Sequence, residues 1–342
     1  MLKDYYGSIA FTIVALAAGA AYGWFGQGSV AAAMNILWIC AVLSVLEISL
    51  SFDNAVVNAT TLKTMDPVWQ RRFLTWGIII AVFGMRVVFP ILIVAVFGNL
   101  GPAEAVRLSF SNPDEYARIV SSAHTGIMGF GGAFLMLVGL RFFFDSSKEH
   151  HWIDVFERPL KRFANLQSVE IFIVLLLAFA IQGALPAADG QTFFISAFFG
   201  CFTYFAVEWI GNVLESAQDV TTGAAKSGLA AFLYLEVLDA SFSFDGVIGA
   251  FALTTNLIVI ALGLGIGAMF VRSMTIALVN AGTLGRYLYL EHGAFWAILA
   301  LAGIMFASVL VHIPESVTGL LGAGLIGLSL MSSVRLNRAN GV

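Results

Sequence analysis

Residues 46–60 read LEISLSFDNAVVNAT and residues 235–254 read LEVLDASFSFDGVIGAFALT, so a Ser-Phe-Asp motif occurs twice along the chain. Each copy lies inside a long apolar run. Aligning Asp53 with Asp245 places Glu47 opposite Asp239, so both copies carry a second carboxylate six positions before the aspartate. The shared pattern predicts an internal repeat with acidic residues at its centre.

Two further polar features recur downstream of the motif, in the same order in both copies. The next apolar run contains one arginine, Arg86 or Arg272, and the run after that opens near a histidine, His124 or His292. A repeat that served folding alone would not require matched ionisable residues. The pattern therefore favours a functional site.

The composition around the motif is that of an integral membrane protein. Of the 342 residues, 59% are hydrophobic and 11% are charged, whereas soluble domains carry about 25% charged residues. Apolar runs of about 20 residues, the length that crosses a hydrocarbon core, recur along the sequence. We therefore expect an all-α polytopic membrane protein with the motif inside the bilayer.

Basic residues predict the topology of this bundle. With both termini in the cytoplasm, Arg107 and Arg118 lie outside, Arg86 and Arg272 lie within spans, and the other 13 of the 17 lysines and arginines lie inside. This positive-inside bias predicts a multi-pass protein of a bacterial inner membrane with cytoplasmic N- and C-termini. Ten spans are predicted, approximately at residues 8–25, 30–60, 73–98, 123–144, 169–185, 192–214, 229–253, 256–281, 294–312 and 315–333.

The two copies are predicted to cross the membrane in opposite directions. The motif lies in the second and the seventh span, and a separation by an odd number of spans reverses the orientation. We expect residues 1–168 to form an N-terminal repeat and residues 169–342 a C-terminal inverted repeat of one integral membrane domain. Inverted repeats are typical of secondary transporters, whose ion sites lie near the bilayer midplane where the repeats meet.

The intramembrane charges are costly and point to a cation. An ionised carboxylate at a helix centre costs about 2.5–3.5 kcal/mol, so the four matched carboxylates together would cost roughly 10 kcal/mol or more. Pairing with Arg86 and Arg272 would leave a charge of −2, which one divalent cation neutralises, and Glu236 close by would make it −3. Protonated carboxylates would balance the charge equally well.

Helix geometry restricts how the carboxylates can share an ion. Residues six apart on a continuous helix lie about 9 Å apart along the axis and about 120° apart in rotation, so Glu47 and Asp53 cannot hold one ion from an intact helix. Either each helix is interrupted at the motif, which Asn54 and Gly246 would permit, or one carboxylate from each repeat clasps the ion. We favour an interruption in both copies, with Asp53 and Asp245 as the central pair.

The candidate ligands are oxygens, which suit Mn²⁺, Ca²⁺ or Mg²⁺ better than copper or zinc. Arg86 and Arg272 are expected to pair with carboxylates or to gate the site. His124 and His292 are candidate accessory ligands or proton relays, although a histidine at a helix end more often has a structural role. Glu208 either lines a pore or hydrogen-bonds to a neighbouring helix. The oxygen ligands come from Asp53, Asp245, Glu47, Asp239, Asn54, Ser51 and Ser243.

The largest predicted cytoplasmic loop, residues 145–168, carries the pair His150-His151 among charged residues. This pair could sense a metal ion. A solvated loop at the membrane surface, with basic residues meeting anionic lipid head groups, explains the same composition and is favoured.

The two stretches resemble the two signatures of the TerC (tellurium-resistance) integral membrane family. LEISLSFDNAVVNA is similar to the first, an acidic residue followed by Leu-Ser-x-Asp-Asn, and LEVLDASFSFDGVIGAFALT is similar to the second, Glu-x-x-Asp with a later Asp. The resemblance covers approximately residues 40 to 330. It implies a role in manganese export from the cytoplasm, with acidic residues of both signatures as ligands. Carried over by position, these are Glu47, Asp53, Asn54, Glu236, Asp239 and Asp245.

The second signature departs from the family pattern, which has Asp-Ser-Ile-Pro-Ala where residues 245–250 read DGVIGA. The resemblance therefore implies export of a divalent cation more firmly than of Mn²⁺ in particular. A second hypothesis, based on the surplus carboxylates, is that H⁺ or Na⁺ drives the exchange. A non-transporting membrane scaffold or metal-delivery factor is one alternative. An intramembrane aspartyl hydrolase is another, although both motif aspartates follow phenylalanine rather than the tyrosine and glycine contexts of such enzymes. We expect neither enzymatic activity nor a nucleic-acid partner.

Overall fold

The computed structural model describes residues 2–77, 79–145, 148, 150–161, 168–216 and 228–339; the side chains of some helical residues, Phe244 and Asp245 among them, lie outside this description. The described residues form helices and no strand. Eight described helices are long and apolar enough to cross a membrane. The prediction of an all-α polytopic membrane protein is confirmed.

The helices follow one another with short connections, and a 3₁₀ turn, Leu2–Tyr5, precedes the first of them. Two π-helical segments, Phe73–Gly77 and Ile80–Val88, lie between α4 and α5. In chain order the α-helices are α1 Tyr6–Gln27, α2 Val30–Leu50, α3 Phe52–Thr64, α4 Pro67–Arg72, α5 Phe89–Phe97, α6 Pro102–Ser111, α7 Pro113–Ser122, α8 His124–Phe143, α9 Asp154–Lys161, α10 Val169–Gln182, α11 Ala187–Ser216, α12 Gly228–Leu253, α13 Leu257–Asn280, α14 Thr283–Arg286, α15 Leu290–Ser308 and α16 Glu315–Ala339.

Every predicted span overlaps a helix, but two of them differ from the other eight. The helix α10 has 14 residues, which is short for a perpendicular crossing. The helix α12 is long enough at 26 residues, but it carries three carboxylates in its central part. The number of ten spans therefore stays a prediction, whereas eight helices meet the length and apolarity of a span on their own.

The first motif interrupts its helix. The helix α2 ends at Leu50, Ser51 adopts a non-helical φ of −109° and ψ of 17°, and α3 begins at Phe52. Asp53 then stands in the first turn of α3, where the positive end of the helix dipole favours a carboxylate. The predicted break at the first motif is confirmed.

The second motif does not interrupt its helix, so the prediction of a break there is wrong. The helix α12 runs without interruption from Gly228 to Leu253 and contains Ser243, Phe244 and Asp245. Glycine permits non-helical backbone but does not require it. The absence of a Cβ at Gly246 serves a close contact instead, described below.

The chain divides into two compact units that are not its N- and C-terminal halves. The first unit contains Met1–Ser51, Arg71–His124 and Phe242–Ala277, and the second contains Phe52–Gln70, Thr125–Ser241 and Leu278–Val342. In the first unit α1 packs against α2, and in the second α3 packs against α15 and α16. The chain passes between the units five times, and two of these passages, after Ser51 and after Ser241, adjoin a motif copy.

Candidate functional site

In the first unit, the carboxylate of Glu47 lies in a buried ion pair. Glu47 stands in the last turn of α2 and is 2% exposed, and the guanidinium of Arg86 donates a hydrogen bond to it. The Ser51 hydroxyl donates a second hydrogen bond to the same oxygen, at 3.0 Å. Arg86, itself 3% exposed, also donates to the carbonyl of Ala81. Mutual pairing offsets the cost of burying both charges in an apolar environment.

Two glycines allow neighbouring helices to approach this carboxylate. A Cβ at Gly267 of α13 would lie 2.6 Å from Cγ of Glu47. A Cβ at Gly246 of α12 would lie 2.9 Å from its Oε2. Gly246 directly follows Asp245, so the second copy of the motif contributes a small residue against the acidic residue of the first copy.

In the second unit, a hydrogen bond joins the segments that flank the two motif copies. The side-chain amide of Asn58 on α3 donates to Oδ1 of Asp239 on α12 at 2.8 Å. Both residues are buried, with exposed fractions of 4% and 9%. The segment after the first motif therefore contacts the segment before the second motif, as a site built from both copies requires.

The two helices joined by this hydrogen bond carry further buried oxygens. Both carboxylate oxygens of Glu236 and the amide oxygens of Asn54 and Asn58 have no hydrogen-bond partner among the described residues. Asn54 and Asn58 are four residues apart on α3, and Glu236 and Asp239 are three apart on α12, so each pair shares a helix face. Buried polar atoms normally have partners, and an ion is one explanation of such a group of acceptors.

Asp53 lies on the same helix as the two asparagines. It is 4% exposed, and its Oδ1 accepts a hydrogen bond from the backbone N–H of Asn54 at 2.9 Å. The helix α16 passes close to the other oxygen, because a Cβ at Gly322 would lie 3.7 Å from Oδ2. Asp53 is therefore a third buried carboxylate of the second unit, in addition to Glu236 and Asp239.

The remaining predicted residues lie elsewhere. Arg272 donates to the backbone carbonyl of Leu74 rather than to a carboxylate. Glu208 pairs with Arg141 at 2.9 Å and is a third exposed, which agrees with a contact between helices.

The two predicted histidines begin helices. His124 opens α8, and His292 stands in the first turn of α15, where its Nε2 lies 3.6 Å from the carboxylate of Glu157. The side chain of Asp245 lies outside the described part of the chain, so the Asp53–Asp245 pair stays a prediction.

Ligand composition limits what this arrangement can bind. Among the described residues, no three His, Cys, Asp or Glu side chains are close enough together to hold a metal ion. A cation site in the second unit therefore needs amide oxygens beside carboxylates, and such oxygen sets suit Ca²⁺, Mg²⁺ and Mn²⁺. The sequence prediction missed Asn58, although its spacing of four residues from Asn54 was a usable signal.

Neither the comparison with curated proteins nor the comparison with solved structures gives a match. The comparison with protein families gives one over residues 52–340, a range that includes α3 and α12. Because this match covers most of the chain, the protein belongs to the family described as Protein of unknown function (DUF475).

Proposed function

We propose that this protein is a secondary transporter that exports a divalent cation, with Mn²⁺ as the first candidate. One observation carries the proposal: the two helices that the Asn58–Asp239 hydrogen bond joins carry four buried oxygens without a donor among the described residues. Buried acceptors of this kind are costly in a membrane protein and mark ion pathways. The oxygen chemistry supports Mn²⁺, Ca²⁺ or Mg²⁺, and the resemblance to the TerC family favours Mn²⁺ among them.

The cation binds first to the oxygens of the second unit in this proposal. Asp239 and Glu236 supply the negative charge, and Asn54 and Asn58 supply neutral oxygens. Asp53 stands at the start of the same helix and receives the ion on its path. Glu47 is neutralised by Arg86, so this pair acts as a gate or a structural tie rather than as the ion's ligand.

The membrane setting of the proposal follows from charge distribution and repeat symmetry. Thirteen lysines and arginines on one side support cytoplasmic N- and C-termini in a bacterial inner membrane. Opposite orientation of the two motif copies supports alternating access around a shared site. The buried carboxylates are groups through which H⁺ or Na⁺ could drive the exchange. Transport that persists after both gradients are collapsed would contradict such coupling.

Proteoliposomes containing an Mn²⁺-quenched dye test the proposal directly. The parent protein is expected to admit Mn²⁺, while Asp239→Asn and Glu236→Gln each slow the uptake by about tenfold or more, since each removes a ligand charge. Glu115→Gln is the matched control. Glu115 lies on α7 in a surface pair with Arg118, whose hydrogen bond lowers the pKa of Glu115.

Calorimetric titration with Mn²⁺ separates the competing functions. Uptake by Asp239→Asn and Glu236→Gln at the parent's rate would refute the site. Binding by the parent that depends on these carboxylates, without any uptake, would instead support the scaffold or metal-delivery function. Normal binding and transport by the Glu115→Gln control would show that the loss of a carboxylate outside the site is harmless.

A further inference from the structure

The short helix α9 is attached to a spanning helix through one buried residue. Glu157 of α9 is 2% exposed, although it lies in a loop rich in charged residues. Its carboxylate accepts hydrogen bonds from the backbone N–H groups of Trp152 at 3.0 Å and Ile153 at 3.2 Å. The indole N–H of Trp296 on α15 donates a third, at 2.9 Å. This carboxylate therefore holds α9 against α15.

The attachment places α9 beside the first two turns of α15, a helix long and apolar enough to cross a membrane. Trp296 lies six residues after Leu290, where α15 begins, which corresponds to about 9 Å along the helix axis. His292, one turn earlier, also lies 3.6 Å from Glu157. Interfacial helices lie about 5–10 Å into the boundary between head groups and acyl chains, and tryptophans concentrate in the same zone.

Apolar, charged and protein-facing residues occupy different sides of α9, as expected for a helix at the membrane interface. At 100° per residue, Val155 lies about 160° from Glu157 around the helix axis, and Phe156 lies about 100° from it on the flank away from Asp154 and Arg158. Both are largely exposed, with exposed fractions of 78% and 61%, and the Phe156 ring also meets the Trp296 ring edge-on at a centroid distance of 6.3 Å. Asp154 and Arg158 lie on the other flank and form an exposed ion pair at 2.7 Å. One face therefore meets protein, one is apolar and open, and one is charged.

The basic residues at the end of this segment favour an anionic surface. The sequence continues from Arg158 to Lys161 and Arg162, so three basic residues follow the apolar pair within six positions. Basic residues beside an apolar helix face bind anionic head groups. We propose that α9 is an interfacial anchor that docks on an anionic lipid surface through Val155 and Phe156, with the exposed Arg158 at the head groups and Glu157 fixing it to α15.

Spin-label accessibility in vesicles tests this proposal. Cys40 and Cys201 are replaced by alanine, and a nitroxide label is attached in Phe156→Cys or, as the control on the charged face, in Asp154→Cys. In vesicles of phosphatidylcholine and phosphatidylglycerol, the label at position 156 is expected to be more accessible to oxygen than to a water-soluble nickel chelate. The label at position 154 is expected to show the reverse order.

Each other outcome overturns the proposal or part of it. Water-like accessibility at position 156 would place α9 off the membrane, and protection from both reagents would show that protein covers it. Equal depth in phosphatidylcholine alone would refute the role of anionic lipid. If the cysteine-free protein does not fold, amide hydrogen exchange of residues 150–161 in the parent replaces the labels. Protection is then expected to rise when phosphatidylglycerol is added to nanodiscs, and unchanged exchange would refute the anchor.

Discussion

Glu47 and Asp239 occupy the same position in the two copies of the motif, yet their surroundings differ. Glu47, in the first unit, is paired with the Arg86 guanidinium and approached by Gly246 and Gly267. Asp239, in the second unit, accepts a hydrogen bond from the neutral amide of Asn58 and lies three residues from Glu236, whose oxygens lack donors. Equivalent sequence positions therefore do not carry equivalent electrostatics.

The difference indicates that one copy mainly stabilises the fold and the other mainly binds the ion. A carboxylate that is already neutralised by a buried guanidinium gains little from a cation and mainly stabilises its helices. Asp239 accepts a hydrogen bond from the Asn58 amide, and the same two helices carry buried oxygens without a hydrogen-bond partner among the described residues, so this region favours positive charge. Substitutions around Glu47 should therefore affect folding more than ion binding, and substitutions around Asp239 should do the opposite.

Removing the guanidinium is expected to have the largest effect on stability. Arg86→Met leaves Glu47 buried without its charged partner, and breaking a buried pair costs about 3–5 kcal/mol. We expect a large fall in the thermal unfolding midpoint in detergent. The double variant Arg86→Met with Glu47→Gln should recover much of the loss, because no unpaired charge remains. A single variant that unfolds at the parent's temperature would remove the basis of the comparison.

Adding one methyl group beside Glu47 is expected to have an intermediate effect. In Gly267→Ala the new Cβ would lie 2.6 Å from Cγ of Glu47 and 3.0 Å from the carbonyl oxygen of Ser44, so α2 and α13 must separate. Overpacking of this kind costs about 1–3 kcal/mol. Gly303→Ala on α15 is the matched control, because nothing lies within 4 Å of its Cβ position. Equal unfolding midpoints for the two variants would contradict the close packing around Glu47.

The features that follow from apolar length and hydropathy could be predicted from the sequence. The spans overlap the helices because hydrocarbon admits few other backbone structures. The run of 31 residues, 30–60, exceeds one straight crossing and so predicted a helix that is bent, broken or extends past the membrane, and in the structure it is broken at Ser51. The presence of a buried guanidinium near the carboxylates followed from the cost of leaving either charge alone in the membrane.

The features that depend on packing between distant segments could not be predicted. Gly246 is compatible with a break or with a close contact, and only the approach of Glu47 decides between them. Asn58 looks like one more polar residue of a helix until Asp239, far along the chain, is placed beside it. Glu157 was expected on a solvated loop, because nothing local in its sequence indicates that Trp296 donates to it.

The smallest effect on stability, and the sharpest test of the comparison, is expected at Asn58. Asn58→Ala removes one hydrogen bond between helices, and such bonds in membrane proteins contribute about 0.6 kcal/mol on average. The unfolding midpoint should therefore change little. The Mn²⁺ affinity should fall by about tenfold, the lower end of the loss seen when residues supporting a metal site are removed, because an amide oxygen and the support of Asp239 both disappear.

Asn337→Ala provides the control for this variant, since its amide donates a bond of the same length, 2.8 Å, to the carbonyl of Arg286 at the exposed end of α16. Calorimetric titration then compares the Mn²⁺ affinities of the two variants, which lose hydrogen bonds of equal length in different surroundings. If both variants bind Mn²⁺ like the parent, the Asn58–Asp239 bond only joins two helices. If Asn58→Ala alone loses affinity at nearly unchanged stability, the second unit binds the ion, and the Arg86–Glu47 pair of the first unit mainly stabilises the fold.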